Sequence, residues 1–439
     1  MGLYNKNYRL ALILVISTLI LSACSVSTVP TGSVPQPLKT PSTAPTSTPI
    51  VTDGIDDSLG VVEYNLGEAV ILQERFPEDS RFRNMPVRLN GLIAVPSGEG
   101  GPFPVVVILH GNHHGCPVDE MGVDRWPCDP EVEQPNYRGF EYLVRELVDS
   151  GYVALSLNIN AENTLGFGEP VPGERLGQVF DLHMRALAAA AGGGENAFGV
   201  DLSGRADLQH VVLMGHSRGG EESLRLTRQL QQEDVIAAGL PYGPVEGVIL
   251  IAASAQALET AGGSPVPMAI VLPTCDGDVI SQDGQHFFEA ARLTPQQTNW
   301  IISVWLERGN HNFFNLLLPE DPFRSADRPE CVQVLEPEVQ SAFLVDLTAD
   351  FLTTIWNQDP GLVSEAAKRM DLDVSLPVLN EFYGLPGRAA FMAPADDRLT
   401  LFVPAKEDHL VTNLAGGAIT EVGVTTNFCP EGFYTPEMI

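Results

Sequence analysis

Gly215-His216-Ser217-Arg218-Gly219-Gly220 contains the only G-x-S-x-G in the chain. A serine with glycines two residues away on either side suits a sharp strand-to-helix turn, because side chains at Gly215 and Gly219 would collide across it. Val211-Val212-Leu213-Met214 leads in as a strand and Glu221 to Gln232 leads out as a helix. Such a turn presents its hydroxyl at the top of a sheet, beside a helix N-terminus. No lysine or threonine follows to complete a phosphate-cradling Walker loop.

A serine hydroxyl is a weak nucleophile until a base takes its proton. The base is expected later in the chain, after a last strand. His311, in Gly309-Asn310-His311-Asn312, follows a strand at Trp300 to Leu306 and is the best placed of the nine histidines. His210 and His216 flank the turn and are expected to point away from it, while His183, His286 and His409 read as surface or packing residues. An acid must hold the imidazole tautomer and stabilise the imidazolium. Met268 to Leu272 ends in Pro273-Thr274-Cys275-Asp276-Gly277-Asp278-Val279, where two aspartates compete. Asp276 is preferred because it stands in a D-x-x-V spacing with Val279, and Asp278 is the alternative acid. Donors for a developing oxyanion are expected from the backbone N–H of Arg218 and of Asn112, the latter after the strand that ends at His110-Gly111. His110, His113 and His114 raise the question of a metal, but no acidic or thiolate ligand completes a zinc spacing. Neither metal nor cofactor is expected.

These residues need a sheet to hold them. Pro104 to His110 (PVVVILH) is a continuous apolar run typical of a strand buried on both faces. Strands are also expected at Val87 to Val95, Tyr152 to Ile159 and Val248 to Ala253. Helices are expected at Phe140 to Ser150, Gly177 to Ala191 and Glu338 to Trp356. Strands separated by helices predict an α/β class with a mostly parallel central sheet covered on both faces.

The 439 residues allow two to three domains by length alone. With 44 % hydrophobic and 18 % charged residues the chain can bury a core, which excludes wholesale disorder. Acidic residues outnumber basic ones 56 to 25, for a net charge of -31, and such a surface repels phosphate backbones, so no nucleic-acid partner is expected.

The amino terminus changes how that length is counted. Lys6 and Arg9 precede an apolar run from Leu10 to Leu21, too short to span a bilayer comfortably and suited to a signal-peptide core. The run ends in Leu21-Ser22-Ala23-Cys24, which resembles the lipobox of bacterial lipoproteins. The resemblance implies cleavage after residue 23, lipid on Cys24 and anchoring to the outward face of a bacterial membrane, at the cell surface or in the periplasm. Loss of Lys6 and Arg9 takes the side-chain charge from -31 to -33. Ser25 to Thr52 holds 5 Ser, 7 Thr and 6 Pro in 28 residues, a composition that reads as a tether. The expected organisation is therefore 1–23 signal peptide, 24–52 lipidated tether, 53–370 catalytic domain and 371–439 a β-rich extension.

In an exported chain disulfides are expected. Cys116 and Cys128 bracket a short loop beside the oxyanion strand, and a Cys275–Cys331 bridge would pin the acid loop to the base loop. Cys429 is left over. After Trp356 the helical pattern stops; Leu399 to Val403 and Ala418 to Val424 read as short strands. They fit either a β-rich appendage cut short or a strap around the catalytic body.

Strand–His110-Gly111, the GHSRGG turn, the Asp276 loop and Gly309-Asn310-His311, in that order, resemble the α/β-hydrolase superfamily over roughly residues 87–356. GHSRGG looks most like chlorophyllase-type and related esterases, whereas polyester hydrolases and cutinases typically carry methionine at the Arg218 position. The resemblance implies a serine hydrolase working through an acyl-enzyme, with Ser217 as nucleophile, His311 as base and a carboxylic ester as substrate. A neutral or apolar ester, small or polymeric, is expected, with the membrane met only through the lipid. An acyltransferase or a peptidase on the same scaffold, or a non-catalytic surface binding module, are the alternatives. The Cys116 to Tyr137 and Asn163 to Arg175 loops are expected to wall the pocket.

Overall fold

A run such as Val105-Val106-Val107-Ile108 has no polar side, so it is stable as a strand only where both faces are covered. The structure, a computed structural model, describes residues 60–420 and 422, except 238, 257–262, 293, 295–296, 322–327 and 400–409. All of them lie within one compact unit, Gly54–Ile439. The expected lipid-bearing Cys24, the tether, Cys429 and most of the two late strands lie outside the described residues.

Strands β1 (Val61–Leu72) and β2 (Asn84–Ala94) pair antiparallel and are followed by β3 (Phe103–Leu109). Helix α1 (Glu141–Asp149) leads to β4 (Val153–Leu157), the short α2 (Asn160–Asn163) and α3 (Glu174–Ala191). Next come β5 (Ala206–His216), α4 (Arg218–Leu230), α5 (Glu233–Ala237) and β6 (Val245–Ile251). β7 (Met268–Cys275), α6 (Gly284–Arg292), β8 (Ile301–Asn310), α7 (Pro337–Trp356) and α8 (Pro360–Arg369) follow. The short β9 (Glu381–Phe382) and β10 (Leu385–Met392) complete the set. One ten-stranded sheet takes the order β1-β2-β4-β3-β5-β6-β7-β8-β10-β9. From β4 to β8 every pairing is parallel, and the strands added at either edge are antiparallel. This is an α/β fold.

Period-2 alternation along the parallel strands divides the core in two. Val105, Val107 and Leu109 of β3, with Val211 and Leu213 of β5, pack with Leu176 and Phe180 of α3, Leu224 of α4 and Phe287 of α6. Val106, Ile108, Val212 and Met214 point to the opposite face, against Leu143 and Leu147 of α1 and Phe343 and Phe351 of α7. Each apolar strand therefore finds helices on both sides, as its composition requires.

The structure departs from the sequence expectations at element ends and after Trp356. α4 begins at Arg218, not Glu221, because the turn at Ser217 launches the helix at once. β1 was not read from the sequence; its burial is mixed and its pattern is interrupted at Asn65/Glu68, where the register shifts. The helical pattern does not stop at Trp356: α8 follows, with Asp359 accepting from the Gly361 N–H as N-cap and Pro360 in the first turn. That Asp-Pro signal is present in the sequence. β10 pairs antiparallel with β8 from Gly387–Leu306 to Met392–Ile301. Residues 385–392 are thus an edge strand of the same sheet and not the start of a separate unit.

Parallel strands place all their carboxyl ends on one edge of the sheet, where open α/β sheets bind ligands. The residue just past each end is His110 for β3, Ser217 for β5, Asp276 for β7 and His311 for β8.

Candidate active site

Ser217 joins β5 to α4 with φ 55° and ψ -124°, a conformation costly for a residue with a Cβ. The surrounding backbone over-determines it: its N–H donates to the Ile251 carbonyl at 2.8 Å, and its own carbonyl accepts from the Gly220 N–H at 3.0 Å and the Ser254 N–H at 3.3 Å. The glycines are required by contact. A Cβ on Gly215 would lie 2.0 Å from the Gly219 carbonyl oxygen, and one on Gly219 would lie 2.3 Å from that of His110. The N-terminus of α4 starts at the next residue, so its backbone N–H groups favour negative charge beside the hydroxyl.

His311 is buried, and its Nδ1–H donates to Asp276 Oδ2 at 2.8 Å. The other carboxylate oxygen of Asp276 accepts from the backbone N–H groups of Asp278 (3.0 Å) and Val279 (2.6 Å), so the carboxylate cannot rotate away. Asp278 is 63 % exposed, and its Oδ2 stands 3.6 Å from Nε2, on the opposite edge of the ring. The geometry therefore favours Asp276 over Asp278 as the group that orients the imidazole. Nε2 itself has no hydrogen-bond partner among the described residues, and no bond joins it to the Ser217 hydroxyl; in enzymes, bonds of this kind often tighten only when substrate binds. Burial pulls the His311 pKa down, but the charge and hydrogen bond of Asp276, with Asp278 and Asp321 beyond, outweigh it and leave the pKa raised.

Distant residues position this base. Gln340 on α7 accepts from the Asn310 N–H at 2.8 Å and donates to its carbonyl at 2.6 Å. The Cys275–Cys331 disulfide ties the residue before Asp276 to the segment beyond the base loop. His216 does not point away from the site as expected. Its ring centre lies 4.7 Å from that of His311, and its Nε2–H donates to the His311 carbonyl at 2.9 Å. Burial, with the neighbouring His311 and His113 rings, pushes its pKa well down and keeps it neutral. His210 lies away from the site, 2.8 Å from Glu246, and His183 is a buried packing residue bonded to the Tyr64 hydroxyl.

The loop after β3 passes directly over Ser217: a Cβ on Gly111 would lie 2.9 Å from that of Ser217. His110 has both ring nitrogens occupied, Nδ1 by the Gly111 carbonyl and Nε2 by the Ile159 N–H, which leaves it no lone pair for a metal. Among the described residues no group of three or more His, Cys, Asp and Glu is arranged to hold a metal ion. Asn112 and Arg218, the expected oxyanion donors, both line a cavity of about 380 Å³, as does His113; Ser217 and His311 are not among its lining residues.

The two loops expected as pocket walls supply the rest of the lining, including Asp124, Leu165 and Glu169. The first is closed by the Cys116–Cys128 disulfide. The second is held by Arg175, fully buried, whose guanidinium donates to the Thr164 carbonyl at 2.6 Å and to those of Ala161 and Glu162 at 3.3 Å. Glu162 and Glu222, which no sequence reading singled out, also face this cavity. Arg218, Glu221, Glu222 and Arg225 recur at helical spacing on α4, a charged stripe inside a helix packed on the sheet. That stripe was the available signal; for Glu162 there was none. Most of the lining residues are polar, although half of the lining surface is apolar, where a neutral or apolar substrate was expected from the sequence.

No protein-family model matches the chain, and no curated protein matches it.

Proposed function

We propose that this chain is a serine hydrolase of the α/β-hydrolase type, cleaving carboxylic esters through Ser217, His311 and Asp276. The observation that carries this reading is the buried His311–Asp276 pair, with Nε2 unpartnered on the same sheet edge as the strained Ser217 turn. In the reaction, Ser217 Oγ attacks the ester carbonyl as its proton passes to His311 Nε2. The developing oxyanion takes hydrogen bonds from the backbone N–H groups of Arg218 and Asn112. Collapse expels the alcohol with the proton from His311, leaving Ser217 acylated. Water, deprotonated by the same nitrogen, then attacks the acyl-enzyme and restores the hydroxyl. Asp276 holds Nδ1–H throughout and stabilises the imidazolium.

Export and anchoring belong to the same proposal and rest on the sequence: lipid on Cys24 and the Ser/Thr/Pro tether would hold the hydrolase off the outward face of a bacterial membrane. Cys24→Ser should move the protein from the membrane fraction to the soluble one. For the chemistry, an organophosphate is expected to label Ser217 stoichiometrically, and Ser217→Ala to abolish p-nitrophenyl acetate turnover. Retained turnover in that variant overturns the proposal. Product analysis with added alcohols separates hydrolysis from acyl transfer.

A further inference from the structure

The cavity lined by Asn112 and Arg218 contains an unsatisfied acid. Glu162 is 3 % exposed, lines the cavity, and has no hydrogen-bond partner at Oε2 among the described residues. Its carboxylate accepts from the Leu176 N–H in the first turn of α3. Three more carboxylates, Glu222, Asp124 and Glu169, line the same space. Against them stands, among the described residues of the lining, one guanidinium, that of Arg218, which is already turned to Gln256 Oε1 at 2.8 Å and to Glu221 at 3.5 Å. Glu222 is neutralised from behind by Arg225, with Nε at 3.0 Å. Among the described residues no side chain donates to Glu162: Arg175, whose nearby charge favours its ionised form, spends its donors on main-chain carbonyls and on Gln73.

A buried carboxylate oxygen without a donor is costly, and a recess with excess negative charge selects what restores the balance. The missing group is a compact cation with several N–H donors. Among the described residues no Phe, Tyr or Trp lines the cavity, so the described lining offers no aromatic face of the kind that recognises quaternary ammonium groups. We propose that this cavity is a subsite for a protonated primary amine carried by the ester substrate, held by Glu162 with Glu222 alongside. The assignment rests on the serine hydrolase reading for the word ester, and on the cavity itself for the amine. With Arg218 and Asn112 on the same lining, an amine at Glu162 would leave the other end of a small molecule at the oxyanion donors.

The charge state follows. Burial pushes the Glu162 pKa up to about 8, and the Glu222 charge adds to this, while Arg175, the Leu176 N–H and Arg218 pull it down. Glu162 is therefore mainly protonated at neutral pH, and a bound ammonium would favour its ionised form and displace the proton. Amine affinity should accordingly rise with pH until about pH 8 and then level off.

The test is calorimetric titration of the whole chain with n-butylammonium and, as the uncharged control, n-butanol, at constant ionic strength. At pH 8.5 the amine is expected to bind at least ~10-fold more tightly than the alcohol, with its affinity falling about 20-fold by pH 6.5 as Glu162 takes up its proton. Glu162→Gln should remove both the preference and the pH dependence; the pH series on the unaltered chain carries the test even if that variant folds poorly. Equal binding of amine and alcohol, or binding of neither, means a water-filled recess only and overturns the proposal, as does undiminished preference in Glu162→Gln. n-Butylammonium should also compete with p-nitrophenyl acetate. If that ester is not turned over at all, the hydrolase reading fails while calorimetry still decides the subsite. Turnover without amine binding leaves the hydrolase reading standing and removes the subsite.

Discussion

Asp276→Asn would remove a single charge while leaving the acid loop its hydrogen bonds. The side-chain carbonyl of the asparagine is drawn to the position that accepts from the Asp278 and Val279 N–H groups at 3.0 and 2.6 Å. Its NH₂ must then face His311 Nδ1, where Asp276 Oδ2 now accepts at 2.8 Å. Two donors cannot share that line, so Nδ1 becomes the acceptor and the ring proton moves to Nε2. An imidazole protonated there cannot take the Ser217 proton. In a serine–histidine–aspartate arrangement the wrong tautomer costs about 10⁴ in kcat, and each decade corresponds to about 1.4 kcal/mol of barrier, so roughly 5 kcal/mol is at stake. The assay is kcat for p-nitrophenyl acetate, with thermal unfolding followed on the same sample. Unaltered protein should gain activity as pH rises through the His311 pKa, which lies above its ordinary value, because only neutral imidazole is a base. Asp278→Asn is the companion: that carboxylate is mostly exposed and 3.6 Å from Nε2, so solvent screens it and kcat should fall less than about threefold. A folded Asp276→Asn retaining more than about a tenth of the activity, or an equal loss in Asp278→Asn, would refute the reasoning.

Other perturbations bear on the scaffold. Gly219→Ala places a Cβ 2.3 and 2.5 Å from the main-chain carbonyl oxygens of His110 and Leu109, which cannot yield as a side chain would. Expected are a destabilisation of about 3 kcal/mol and a displaced turn with activity down at least ~100-fold, read by melting and kcat; wild-type behaviour would mean the turn is not built as described. Cys331→Ser opens a crosslink spanning 56 residues, worth about 4 kcal/mol by loop entropy, measurable as a denaturant midpoint shift absent under reducing conditions. Glu162→Gln should also change how stability depends on pH. The folded pKa of about 8 lies above the ordinary 4.5, so native Glu162 binds a proton more readily than the unfolded chain and is favoured as pH falls through that window. Between pH 7.5 and 5.5 the unaltered protein should gain about 2 kcal/mol relative to the variant. Parallel stability curves would show that Glu162 is not the buried acid described.

Much of the site was legible because its parts are local. GHSRGG announces its turn through the local Gly215–Gly219 approach, though β3 also crowds Gly219, and the order Ser217, Asp276, His311 follows from three strand ends that apolar runs announce. The α/β class follows from the same runs, since strands without a polar face demand cover on both sides. Both disulfides were named from the loops they would close. What failed was long-range. β10 went unread: strands were expected only later, at Leu399 to Val403 and Ala418 to Val424, and the strand that β10 pairs with, β8, lies about 80 residues earlier in the chain. His216 was expected to point away from the site; it packs against the His311 ring and bonds to the His311 carbonyl, which the fold brings there from 95 residues on.

By itself, then, the sequence specified a sharp serine-bearing turn, a histidine after the last parallel strand and an aspartate at one of two positions two residues apart. Local sterics and hydrophobic periodicity are sufficient for those statements. Tertiary structure decided between the acids, because two backbone N–H groups and one imidazole converge on Asp276 while Asp278 faces solvent. It also assembled the cavity: Glu162 and Glu222 are ordinary polar positions until a loop anchored on Arg175 meets the helix that leaves Ser217. Burial and charge are properties of that meeting, and no residue carries them alone.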